Sequence, residues 1–68
     1  MTFEQIQTKL RALMEGINPN TKLGRAVEFA YIKGLRDGGA DVPPICDILL
    51  MSGRSVTLFK PTKEPYAP

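Results

Sequence analysis

A single cysteine, Cys46, and no histidine in 68 residues deprive this chain of two of the three devices that usually stabilise very small domains. One thiol forms no intramolecular disulfide, and one thiolate without imidazole partners makes no structural zinc site. The length allows one domain, whose buried surface barely offsets an ordering cost of roughly 1.5 kcal/mol per residue. Association is the device that remains, and a homodimer is its commonest form.

Composition narrows the class. With 43% hydrophobic and 24% charged residues the chain is too apolar for a disordered segment. The start, Met1-Thr2-Phe3-Glu4-Gln5, lacks the cationic opening and apolar stretch of a secretion signal. The aliphatic run Ile48 to Met51 falls far short of the roughly 20 residues that span a bilayer. A lone cysteine suits a reducing compartment. These points lead to the expectation of a soluble, cytoplasmic protein with no membrane association.

Periodicity predicts three helices. Thr2 followed by Gln5 has capping-box spacing, and Phe3, Ile6, Leu10, Leu13, Met14 and Ile17 recur at steps of three and four. Gln7, Thr8, Arg11 and Glu15 are expected to face away, and Gly16 to stop the helix. After the Asn18-Pro19-Asn20 turn, Asn20 or Thr21 caps a second helix running to about Arg36. Its expected core stripe is Leu23, Val27, Ala30, Tyr31 and Leu35, edged by the small residues Ala26, Ala30 and Gly34. Such a row admits close helix approach, which would explain tolerating glycines worth about 1 kcal/mol each in lost propensity. Pro43 and Pro44 then open a short apolar helix through Met51, closed by Ser52-Gly53. Residues 54–60 alternate weakly and are expected to be an extended arm, as a strand only if a neighbour exists. Residues 61–68, with prolines at 61, 65 and 68, read as a flexible tail. The expected fold is thus all-α: a compact three-helix domain over residues 1–60 with a short extended C-terminal arm.

The residues that carry chemistry are few. General-base catalysis loses its commonest agent with histidine. Cys46 lies between Ile45 and Asp47, and a neighbouring carboxylate disfavours a thiolate, so the cysteine reads as core. Asp37, Asp41 and Asp47 lack the alternating oxygens and distal glutamate of a calcium loop. Gly38-Gly39 is not followed by the Gly-Lys-Ser/Thr of a phosphate loop. The chain is therefore read as a non-enzyme without metal or cofactor.

What remains is a surface for binding. At 100° per residue, Lys22, Arg25, Phe29, Ile32 and Arg36 cluster on one flank of the second helix, opposite its expected stripe. Large apolar side chains ringed by cations have the make-up of a protein-binding hot spot. Alternatively the same residues are covered within the fold or by a second subunit. Phe59, beside Lys60 and Pro61, is a further candidate contact, or else packs on its own domain. Nucleic-acid binding along Lys22, Arg25, Lys33 and Arg36 is the rival class, with a structural assembly subunit third. The net charge of +2 is small for a nucleic-acid partner. The third helix is also a poor reader of bases, since it offers only Asp47.

The arrangement of a helix pair, Pro43-Pro44, an apolar run and Met51-Ser52-Gly53-Arg54-Ser55 resembles small phage- and prophage-encoded accessory proteins over residues 21–55. That resemblance implies an inhibitor or regulator that binds a host protein stoichiometrically. It carries no functional residues across.

Overall fold

The computed structural model describes residues 1–60; the tail assigned to 61–68 lies outside them. Three helices follow one another: α1 (Phe3–Leu13), α2 (Lys22–Asp37) and α3 (Pro44–Met51). Each begins as its capping residues dictate. Thr2 Oγ1 accepts from Gln5 N–H at 3.1 Å while Gln5 Oε1 accepts from Thr2 N–H at 2.9 Å, closing the capping box. Thr21 Oγ1 accepts from Gly24 N–H at 3.0 Å. α3 has no side-chain cap, but Pro44 in its first turn has no N–H to leave unpartnered. Gly16 and Gly53 take positive φ, 85° and 77°, where the chain leaves the ends of α1 and α3.

The core is small. Ile6, Leu10 and Met14 of the first helical stretch meet Ile32, Cys46, Leu49 and Val56, all essentially inaccessible to solvent. Phe3, Ile17, Val27, Tyr31 and Leu35 close its margins. The α1 stripe matches its periodicity except at two positions. Leu13, at the helix end, is 55% exposed, and Gln7 is buried where it was expected to face solvent.

α2 corrects the reading more sharply. Its buried line is Gly24, Glu28 and Ile32, while Leu23 is 62% exposed and Ala30 is also exposed. Val27, Tyr31 and Leu35 flank the buried line, so the inward face is rotated by roughly 60° from the expected one. Gly24 permits this. A Cβ there would lie 2.3 Å from Asn18 O and 2.6 Å from Pro19 Cα, because the Asn18–Thr21 turn lies directly on the helix start. Close approach therefore occurs at Gly24. The row Ala26–Ala30–Gly34 faces outward, and a Cβ on Gly34 would meet nothing within 4 Å.

The C-terminal arm forms no strand among the described residues. After α3 the chain turns at residues 56–58, and Ser55, Val56 and Thr57 are buried. Three polar side chains hold the turn. Both oxygens of the fully buried Glu28 accept hydrogen bonds: Oε1 from Val56 N–H at 2.9 Å, Oε2 from Ser55 Oγ at 2.6 Å and Thr57 N–H at 3.1 Å. Gln7 Nε2 donates to Val56 O at 2.9 Å and Phe59 O at 2.6 Å, and Arg11 Nε donates to Thr57 O at 3.3 Å. The arm thus satisfies its backbone on α1 and α2 side chains in place of a partner strand.

Candidate protein-interaction surface

α3 returns antiparallel to α2. Arg36 of the last turn of α2 meets Asp47 of the first turn of α3, and Glu28 meets Ser55 just beyond the end of α3. Between these ties the two helices leave a cavity of about 200 Å³, floored by Ile32 and Leu50 and walled by Phe29 and the Arg36–Asp47 pair. That volume lies below the roughly 300–1,000 Å³ of small-molecule sites and suits a single large side chain.

The Arg36–Asp47 contact closes one end of this groove. It is bidentate, with Nη1 to Oδ1 at 2.9 Å and Nη2 to Oδ2 alongside. The hydrogen bond from Arg36 holds the Asp47 carboxyl below its usual value, and Asp47 in turn raises Arg36. Lys33 is engaged too, by Asp37 at 3.7 Å. Lys22, Arg25 and Arg54 make no ion pair among the described residues, and α2 has no acid in its first turn.

Both helices also expose large apolar side chains. Phe29 is 57% exposed, Ile48 58% and Met51 88%. Ile48 and Met51 lie on the outer face of α3, whose Cys46 and Leu49 point into the core. Asp47 apart, the short helix is apolar on every side, and the fold leaves Pro44, Ile48 and Met51 exposed.

Of the six residues singled out in the sequence, five lie along this side of α2. Phe29 is exposed at the cavity, Arg36 is tied to Asp47, Lys22 and Arg25 are exposed at the start of α2, and Ile32 is buried as floor. Phe59 lies elsewhere: its ring meets that of Phe3 edge-on, with centroids 5.7 Å apart and planes at 83°, and is half-buried on its own domain. Sequence reasoning missed Leu50, Ile48 and Met51 as members of the surface. The all-round apolarity of residues 45–51 was the available signal, since an eight-residue helix on a small core exposes one face. Cys46 is enclosed, and burial together with Asp47 pushes its thiol up, with Arg36 opposing.

No helix among the described residues is long and apolar enough to cross a membrane. No protein-family model, curated protein or solved structure matches the chain.

Proposed function

We propose that this protein is a non-enzymatic interaction module that binds a protein partner stoichiometrically through its α2–α3 face, with Phe29 as anchor. The supporting observation is the exposure of Phe29 at a cavity of side-chain size, with Ile48 and Met51 exposed on the outer face of α3. A cytoplasmic inhibitor or regulator of the phage accessory kind, acting on a host protein, fits this mode of action. Nucleic-acid binding along α2 has less support, because Asp37 and Asp47 already engage Lys33 and Arg36. Homodimerisation is a second reading, favoured by the outward Leu23–Ala26–Ala30–Gly34 flank of α2. Light scattering on the purified chain distinguishes a monomer, a dimer and the larger species of an assembly subunit.

The test is affinity capture from the source cell with wild type, Phe29→Ala and Thr8→Ala, all shown folded by circular dichroism. Capture of one protein by wild type and Thr8→Ala, lost with Phe29→Ala, is the expected result. Equal capture by all three would reject the α2–α3 face as the contact.

A further inference from the structure

The cavity between α2 and α3 has a balanced rim. Its lining holds two cations and two acids, Lys33, Arg36, Asp37 and Asp47, and each cation is paired with an acid of its own chain. A nucleic acid or a strongly charged segment finds no surplus charge there to neutralise. The rest of the lining is apolar: Ile32 as buried floor, Leu50 half-buried, and Phe29 exposed at the wall. The occupant that suits this lining is uncharged on balance and carries one large, projecting apolar side chain.

The chain has such a surface of its own. A twofold interface brings one patch against itself, so the patch must hold both a projection and a recess to receive it. The α2–α3 face holds both, in Phe29 and the cavity of about 200 Å³ beside it. Its charges cancel within each copy, so closing the face on itself buries no unpaired charge.

We infer, resting on the reading of the α2–α3 face as the contact surface, that a second copy of this chain fills the cavity. The twofold axis passes beside Phe29, and each ring enters the other copy's recess against that copy's Phe29 and Leu50. Aromatic rings pack favourably in such offset or edge-on pairs. Each recess is incomplete without the ring that the partner copy supplies. Self-association and capture of another protein therefore compete for one face.

The test is sedimentation equilibrium of the full chain from micromolar to millimolar concentration, with circular dichroism verifying that each variant is folded. Wild type should pass from monomer to dimer. Phe29→Ala should weaken the dimer about a hundredfold, about tenfold for each of the two equivalent rings. Leu50→Trp fills the recess and keeps the ring, so it should weaken the dimer as well. An equimolar mixture of the two variants should form a heterodimer about tenfold weaker than wild type, because one ring still finds one open recess. Damage to the fold of either variant would not produce that rescue. The chain has no tryptophan, so Phe29→Trp adds a single reporter whose emission should shift to the blue over the concentrations at which the dimer forms. The urea midpoint of wild type, and not of Phe29→Ala, should rise with concentration. A chain that stays monomeric at millimolar concentration would overturn the inference; cellular capture still dependent on Phe29 would then give the cavity to a different protein and leave the interaction reading intact. A dimer indifferent to Phe29→Ala, or folded variants that fail to pair when mixed, would overturn it as well. A Phe29-dependent dimer with cellular capture indifferent to Phe29→Ala would support the second copy and reject the interaction reading.

Discussion

Glu28 has no accessible surface, and every group within hydrogen-bonding reach of it is a donor. Glu28→Gln keeps the shape and converts one acceptor oxygen into an NH2. If the NH2 takes the place of Oε1, Val56 N–H loses its acceptor; if it takes the place of Oε2, Thr57 N–H does. Ser55 can turn its hydroxyl, although its Oγ already accepts from Leu58 N–H at 3.1 Å. A backbone amide has no such freedom. One buried N–H is therefore left unsatisfied in either orientation, at about 1–3 kcal/mol, and the surviving bonds weaken as well. The expected loss is about 2–4 kcal/mol. A chain of this size rarely commands more than about 3–5 kcal/mol in total, so the variant should sit close to its unfolding midpoint. Urea titration followed by far-ultraviolet circular dichroism measures the loss, with Ser55→Ala and the double variant closing a cycle. The coupling should be clearly non-zero, because both substitutions act on one hydrogen-bonded unit. A Glu28→Gln cost below about 0.5 kcal/mol with an unchanged m value, the range of an ordinary surface substitution, would refute the assignment of Glu28 as the anchor of the arm.

Two glycines of one helix should respond oppositely. Gly24→Ala drives a methyl into the Asn18 and Pro19 backbone and should lower the melting temperature, whereas Gly34→Ala enters open space and should gain about 0.5–1 kcal/mol; paired thermal melts decide, and a loss at Gly34 would reveal close packing onto another copy. The lowered Asp47 carboxyl contributes stability that is present above the unfolded-state pKa and is lost as pH falls through the folded one. Asp47→Asn should therefore flatten the acid limb of a stability-against-pH profile, and an identical limb would rule the Arg36–Asp47 pair out as its source. Cys46 should resist a thiol reagent until urea unfolds the chain, because it is enclosed and its thiol is pushed up; rapid labelling of the native protein would contradict that burial. Ile32→Ala should cost about 2–5 kcal/mol and Phe29→Ala little, although both residues line the groove, since only Ile32 belongs to the core; denaturant midpoints separate them.

Caps and spacing made much of the fold legible. The Thr2–Gln5 box, Thr21, Pro44 and the stop glycines place the helix boundaries because each acts within a few residues of itself. The orientation of α2 was not legible in the same way. Its inward face holds Gly24, selected by contact with a turn four to six residues upstream, and Glu28, selected by amides 28 and 29 residues downstream. Neither is apolar, so a reading that seeks hydrophobic residues turns the helix toward Leu23 and Ala30. Gln7 was misplaced for the same reason, since its partners lie 49 and 52 residues away.

The same substitution of polar for apolar burial accounts for the exposed surface. A glycine and a glutamate inside α2 leave fewer inward positions for large hydrophobic side chains, so Leu23 and Phe29 stand outside while the arm completes the interior through Val56. α3 shows the complementary imbalance: an almost wholly apolar helix with a core only large enough for Cys46 and Leu49. Self-sufficiency alone would favour an apolar residue at position 28 and polar residues at positions 48 and 51, which improves both core and solubility. The chain has the reverse at all three. Its arm is fixed by a buried carboxylate that accepts three hydrogen bonds, while Leu23, Phe29, Ile48 and Met51 stay exposed on α2 and α3. That distribution is costly for a free monomer of this size, and any partner that covers these side chains would offset the cost by mass action.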